Sequence, residues 1–305
     1  LSEILEDYTA HYYKIDQAYR NFYYSYDQIK SSELASMFDS FHSKISHFYE
    51  VEYLEILLAL WNEHLEERNS LVQQKDFYEK YIRRSDTRVA VIISDALRYE
   101  VGEEITRQLE KEGNAKEIKI FPLLTNLPSI TSVGMTQLLP PGKERNIDLF
   151  HNKMTVNGIS TFSTENREKI LKESCLESSA ISYDIFKNKN RSEQEAYVKG
   201  KKVLYFYHDS IDAIGDKAKT EHRTFDACKM AIQDILSLTK ILSSLGVVNI
   251  FITSDHGFLY ERKEIEEYNK LELQEEYFLL GKRYAFSTKK VKEKGCITIS
   301  VGDFF

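Results

Sequence analysis

The chain has 305 residues, of which 42% are hydrophobic and 29% charged, with a formal net charge of −7. This size and mixture indicate a globular protein and exclude a disordered one. The negative charge argues against a surface that coats nucleic acid non-specifically. The sequence contains neither a long apolar run nor a signal peptide, so we expect a cytoplasmic protein with no membrane association.

The first part of the chain is predicted to be all-helical. Residues 1–86 contain no proline, and Leu54, Leu58, Trp61 and Leu65 follow helical spacing. We expect a helical domain or arm over 1–86. Its tyrosine-rich segment YTAHYYKIDQAYRNFYYSY is interpreted as a helix-packing or docking face, and a base-stacking surface is the alternative.

Residues 87–305 show the pattern of an α/β domain. Short apolar, β-branched runs alternate with amphipathic helices, which predicts a doubly wound, mainly parallel sheet. Strands are predicted at 89–93, 118–121, 203–207, 248–253 and 297–301, and helices at about 96–112 and 223–245, where Gly113 and Gly246 end them. The polar stretch 143–198 is predicted to be an irregular insertion over one edge of the sheet.

The ends of the chain suggest a piece of a longer protein. The chain begins at Leu1 without a methionine and stops just after the strand-like run CITISV. We therefore expect the α/β domain of 87–305 to be truncated at its C-terminal side.

Acidic residues follow three of the predicted strands. They are Asp95 after the first, Asp209, Asp212 and Asp216 after the third, and Asp255 with His256 after the fourth. The carboxyl ends of parallel strands share one rim, so these side chains should converge there. Clustered carboxylates repel one another unless a cation neutralises them. A single Asp–His pair could be a cap and a hydrogen-bonded histidine, but three such strand ends favour a Zn²⁺ or Mn²⁺ site.

The segment LPSITSVGMT has two interpretations. Pro128 and Ser129 end an extended stretch, and a short helix is predicted from Ser132 until the prolines at 140 and 141. Thr131 would lie at the N-terminus of this helix, where a metal would lower the pKa of its hydroxyl and make it a nucleophile. The alternative is that Thr131 or Ser129 only caps the helix.

Four motifs in order, ISDALRYE, LPSITSVGM, YHDSIDAIGD and TSDHGFLY, resemble the PglZ family of the alkaline phosphatase superfamily. That family is associated with the phage-growth-limitation and bacteriophage-exclusion (BREX) defence systems of bacteria. The resemblance implies an alkaline phosphatase-like fold in which Asp95, Thr131, Asp255 and His256 surround one metal, with Thr131 as the nucleophile.

The resemblance also implies a second metal site, which departs from the superfamily pattern. Asp212 and Asp216 stand in the motif that usually reads DxxGH, so an aspartate replaces the usual histidine, and no histidine follows His256. We expect two zinc ions in a complete protein and one in this chain, with Mn²⁺ or Mg²⁺ as alternative metals.

Two further residues are candidates for substrate binding. Arg98 could bind a phosphate oxygen, or it could form a salt bridge with Glu100 or another neighbouring acid. His208 could be a ligand or a structural hydrogen-bond partner.

Two functions therefore remain open. The first is a metal-dependent phosphatase or phosphodiesterase, acting on nucleic acid or nucleotides with Thr131 as nucleophile, although this 305-residue chain could itself be inactive. The second is a catalytically degenerate interaction module of a multi-protein phage-defence complex, which Asp216 in place of histidine favours. Other defence-system proteins are the expected partners in both cases.

Overall fold

The structure is a computed structural model that describes residues 1–29, 35–148, 151, 153–215, 223–260, 271–281 and 284–300. Within them the helices are α1 (Ser2–Asp7), α2 (Tyr13–Ile29), α3 (Ala35–His47), α4 (Glu55–Glu63), α5 (Tyr99–Glu112), α6 (Thr131–Gln137), α7 (Thr164–Ser174), α8 (Tyr183–Lys187), α9 (Arg191–Val198), α10 (Asp212–Gly215) and α11 (Thr224–Ser244). The strands are β1 (Val89–Ser94), β2 (Arg145–Asp148), β3 (Lys153–Val156), β4 (Ile159–Ser160), β5 (Ser178–Ser182), β6 (Val203–His208), β7 (Asn249–Thr253), β8 (Leu279–Leu280) and β9 (Ala285–Phe286). Short helical turns lie at Tyr8–Tyr12, Phe48–Leu54, Leu65–Ser70, Gln74–Asp76 and Tyr78–Ile82.

A four-stranded parallel sheet lies at the centre of the described chain, in the order β5–β6–β1–β7. Every residue of β1 is buried, as expected for the apolar run VAVIIS in a sheet covered on both faces. Ile93 of β1 pairs with both Tyr207 of β6 and Thr253 of β7. The residues that follow these three strands therefore lie along one rim of the sheet.

Alternate residues of each strand point to opposite sides of the sheet, so both faces carry apolar side chains that must be buried. Helices cover both faces. On one face, Ile92 and Phe206 pack against α5 and α11. On the other face, Val91 and Tyr205 pack against α6, α7 and the turn Tyr78–Ile82. The predicted doubly wound, mainly parallel α/β fold is confirmed.

The N-terminal region before β1 is helical apart from its connecting turns, which confirms the prediction. Several of its tyrosines pack inward onto α11 and the segment that follows β7, and Tyr19 and Tyr49 stack with ring centroids 3.7 Å apart, whereas Tyr12 is exposed. The buried members of this cluster are Tyr19, Tyr23, Tyr26, Tyr49, Tyr53, Phe225 and Tyr260. Buried rings offer no face to a nucleic-acid base, so the structure supports the helix-packing interpretation of these tyrosines.

The stretch 143–198, expected to be irregular, contains regular structure. β2, β3 and β4 form an antiparallel sheet, and α7, β5, α8 and α9 follow. β5 is the edge strand of the central sheet and pairs with β6. Its sequence SSAIS has a single large apolar residue, so the strand depends on its neighbour and not on its own propensity.

Two predicted strands do not form among the described residues. Residues 118–121 and 297–300 form no strand, and residue 301 lies outside the described residues. Both stretches alternate apolar and polar residues, but a strand also needs a hydrogen-bonded neighbour, and neither stretch pairs with one in the described part of the chain. Among the described residues, no helix combines the length and apolar character needed to cross a membrane.

Candidate active site

Asp95, Asp255 and His256 converge at the rim where β1 and β7 end. One ligand atom from each residue lies within 4.8 Å of the ligand atoms of the other two. His256 Nε2 is 3.3 Å from Asp95 Oδ1 and 3.7 Å from Asp255 Oδ2. All three residues are buried. The strand register thus brings together residues that the sequence places after separate strands.

Thr131 contacts this group from α6, of which it is the first residue. Its Oγ1 lies 3.1 Å from His256 Nε2. His256 Nδ1 lies 3.0 Å from the carbonyl oxygen of Gly257, and only a protonated nitrogen can donate to a carbonyl. We therefore assign the proton to Nδ1, which leaves the lone pair of Nε2 directed at Thr131 and the two carboxylates.

The electrostatics of the group fit a divalent cation. Asp95 Oδ1 and Asp255 Oδ2 are buried without a hydrogen-bond partner. Burial, together with the charges of Asp255 and Asp212, raises the pKa of Asp95 to about 9. Two carboxylate oxygens and the imidazole lone pair therefore face one another, and the Thr131 hydroxyl is the donor that reaches Nε2. This set of hard oxygens and one nitrogen suits Zn²⁺ or Mn²⁺.

Hydrogen bonds connect the loops that follow β1 and β7. The amide of Ala96 donates to Asp255 Oδ1 at 3.2 Å, and the amide of Leu97 donates to Ser254 Oγ at 2.9 Å. Ser254 Oγ in turn donates to the carbonyl of His256 at 2.6 Å. Ala96 has a φ of 61°, which is uncommon for a residue other than glycine. These bonds fix that conformation and set the two aspartates side by side.

Gln74 and Gly134, which were not predicted to be site residues, hold the backbone of Asp255. The fully buried Gln74 donates from Nε2 to the carbonyls of Ser254 and Asp255, at 2.9 and 2.7 Å. A Cβ at Gly134 would lie 2.1 Å from the Asp255 carbonyl oxygen, so only glycine lets α6 approach this closely. A glycine inside a predicted helix signals such close packing, whereas nothing in the sequence identifies Gln74.

The described candidate residues at the end of β6 and after it do not belong to the cluster of Asp95, Asp255 and His256. His208 is buried and contacts the side chains of Ser94, Ser210 and Asp234. These contacts fit the structural alternative for His208. Asp209 is exposed and Asp212, the first residue of α10, is half-buried. Asp216 lies outside the described residues.

The guanidinium of Arg98 already contacts other groups of the protein. Its guanidinium forms a 2.6 Å ion pair with Asp16 and donates to the carbonyl of Phe258 at 2.7 Å. Glu100, considered as its partner from the sequence, pairs instead with Arg20 at 2.9 Å. A phosphate contact by Arg98 remains a prediction, and it would have to compete with this buried ion pair.

These features define a doubly wound α/β protein with a candidate metal-binding active site at the carboxyl rim of its sheet. A family model described as the BREX system PglZ alkaline phosphatase-like domain matches residues 75–303. The chain belongs to this family.

Two curated relatives agree with this assignment. The chain is 36% identical over 281 residues to the alkaline phosphatase-like protein PglZ of Bacillus cereus (strain H3081.97). It is 35% identical over 286 residues to the alkaline phosphatase-like protein BrxZ of Escherichia coli O9:H4 (strain HS). Each alignment covers 88% of this chain and 32% of the relative, so the chain spans about a third of the length of these proteins.

We expect Gly134→Ala to disrupt the candidate site. The added methyl group would collide with the Asp255 backbone, so α6 must shift and carry Thr131 away from His256. The expected loss of unfolding free energy is about 1–3 kcal/mol, as for other overpacked cores, and zinc affinity should fall with it. Gly102→Ala is the matched control, because that Cβ would have no neighbour closer than 3.5 Å. Equal thermal stability of the two variants would contradict the close contact.

We expect His208→Asn to lower stability without lowering zinc affinity. The change removes buried hydrogen bonds with Ser94 and Ser210, which should cost about 1–3 kcal/mol. Chemical denaturation and zinc titration of the same variant measure both quantities. A normal melting temperature combined with weaker zinc binding would instead make His208 a ligand.

Proposed function

We propose that this chain carries the active site of a metal-dependent phosphoester hydrolase, with Thr131 as the nucleophile. The observation that supports this best is the 3.1 Å approach of Thr131 Oγ1 to His256 Nε2, beside two buried, unpaired carboxylate oxygens. A hydroxyl in contact with a cation site is arranged for nucleophilic catalysis. A threonine that only caps a helix would not need a histidine and two carboxylates beside its hydroxyl.

Asp95, Asp255, His256 and Thr131 would hold the cation. When bound, a divalent ion there would lower the pKa of the Thr131 hydroxyl and offset the negative charge of the phosphoryl oxygens. The Thr131 hydroxyl would lose its proton to solvent as Oγ1 attacks phosphorus. The bond between phosphorus and the leaving-group oxygen would break, and that oxygen would take up a proton from solvent. Water subsequently cleaves the phosphothreonine ester and restores the hydroxyl. Gln74 and Gly134 keep the backbone of Asp255 in place during both steps.

The proposed substrates are nucleic acids or nucleotides, and the proposed setting is the cytoplasm of a bacterium defending itself against phage. The family description and the name PglZ of a relative support this setting. Other proteins of the same defence system are the proposed partners. Zinc is the proposed metal because an imidazole accompanies the carboxylates.

A catalytically degenerate interaction module is the second candidate function. It is favoured by the short stretch 209–215 after β6, whose carboxylates are Asp209 and Asp212, and by His208 before it, whose ring nitrogens contact protein groups. A second cation that supports the leaving group would then be weakly held.

Replacement of the proposed nucleophile separates the two functions. In the protein assayed with bis(p-nitrophenyl) phosphate and p-nitrophenyl phosphate, Thr131→Ala should lower kcat on the order of 10³-fold or more, while zinc content and melting temperature stay nearly unchanged. Ser129→Ala is the matched control, since it removes an exposed hydroxyl from the same segment. Undiminished turnover by Thr131→Ala would assign the attack to water, and absence of turnover in the full-length protein would favour the interaction module.

Zinc titration tests the metal site itself. We expect calorimetry on the metal-free chain to give one tight site. Asp255→Asn and His256→Ala should each weaken it by more than about 100-fold, because loss of a ligand exceeds the 10–100-fold cost of losing an outer hydrogen-bond partner. Two tight sites, or unchanged affinity in Asp255→Asn, would contradict the proposed coordination.

A further inference from the structure

A buried ion pair links α2 to the residues just after Asp95. Arg98 Nη2 lies 2.6 Å from Asp16 Oδ2, with side-chain exposures of 8% and 2%. Asp16 also accepts hydrogen bonds from the hydroxyls of Tyr8 and Tyr49, each at 2.6 Å. Three donors thus hold this carboxylate in one position. Asp16 lies outside residues 75–303, which match the family domain.

Arg98 carries this contact on to the loop that bears His256. Its Nη1 donates to the carbonyl of Phe258 at 2.7 Å. Its guanidinium also lies 4.0 Å from the centroid of the Tyr260 ring, within the range of a cation–π interaction. Phe258 is two residues beyond His256 in the chain. Asp16 therefore orients a side chain that holds the segment after β7 from one end.

Gln74 holds the same segment from its other end, through the carbonyls of Ser254 and Asp255. Gln74 also lies before residue 75, where the family match begins. The loop with Asp255 and His256 is thus held directly by Gln74 on one side and, through Arg98, by Asp16 on the other.

A purely structural interface would not need this arrangement. Arg20 of α2 already joins α5 through ion pairs with Glu100 and Glu104, at 2.9 and 2.5 Å. Glu104 lies farther along α5, and its side chain bonds to Arg20 and Gln108, neither of which belongs to the segment after β7. Glu100 does reach that segment, since it accepts a hydrogen bond from the Tyr260 hydroxyl at 2.5 Å. The Asp16–Arg98 pair differs because Arg98 bonds the backbone carbonyl of Phe258, two residues from His256.

We propose that Asp16, acting through Arg98, and Gln74 are positioning residues that hold the loop 254–258 in the geometry the candidate metal site requires. The N-terminal helices are then a functional part of that site. This inference rests on the proposed metal binding, and its test includes a measurement made without metal.

The test compares Asp16→Asn with Glu104→Gln, which removes an ion pair from the same helix interface. Asp16→Glu, which restores the charge, serves as the rescue. Hydrogen exchange of the amides at 255–260 is measured on the metal-free chain, and zinc affinity is measured by calorimetry. We expect Asp16→Asn to speed exchange in this loop and to weaken zinc binding by about tenfold or more. Glu104→Gln should do neither, and Asp16→Glu should recover part of both.

Equal effects of Asp16→Asn and Glu104→Gln would overturn the proposal, as would unchanged loop exchange in Asp16→Asn. If Asp16→Asn does not fold, Gln74→Met decides, because it removes the donor to the Ser254 and Asp255 carbonyls without burying an unpaired charge. Faster loop exchange in that variant supports the proposal, and unchanged exchange refutes it. Absence of zinc binding by the unchanged chain would refute the proposed function alone, since loop exchange still tests positioning.

Discussion

The register of three parallel strands places like charges together, and the candidate site follows from that constraint. β1 lies between β6 and β7, and its pairing with both sets their carboxyl ends level. Asp95 and Asp255 must then occupy one buried space. Two charges about 4 Å apart repel by on the order of 4 kcal/mol at an effective dielectric constant of about 20. Burial and the charge of Asp255 raise the pKa of Asp95 to about 9, so Asp95 holds a proton at neutral pH when no cation is present. A bound cation would take the place of that proton.

Contacts to the backbone of the loop after β7 hold Asp255 close to Asp95 despite their electrostatic repulsion. The carbonyls of the loop after β7 are bonded by Gln74 and Arg98, and α6 touches the same loop where it has only a glycine. The side chains that face the cation position are therefore fixed by residues that do not face it. Such outer contacts orient ligands and tune their affinity in other metal sites. Here they come from the turn Gln74–Asp76, from Arg98 just before α5, and from α6.

The sequence allowed the main features of the fold and site to be predicted, where the signal is local. VAVIIS and FITSDHG combine an apolar strand with an acid at its end, so the convergence of Asp95 and Asp255 could be inferred from parallel-sheet geometry. β5 could not be recognised, because SSAIS becomes a strand only beside β6. The sequence does not identify the ion-pair partner of Arg98, for a similar reason. Asp16 lies in α2, far from Arg98 along the chain. Helical periodicity relates residues within one helix, and it cannot show that Asp16 and Arg98 are in contact.

The central position of β1 also determines when the domain can form. Val89 pairs with Val203 and Asn249, which emerge from the ribosome more than a hundred residues later. At typical synthesis rates this delay is on the order of 10 s. During that time β1 has been synthesised but β6 and β7 have not. An apolar strand with unpaired edges favours aggregation. The nascent chain therefore has a long interval in which a chaperone, or its own tyrosine-rich helices, must shield β1.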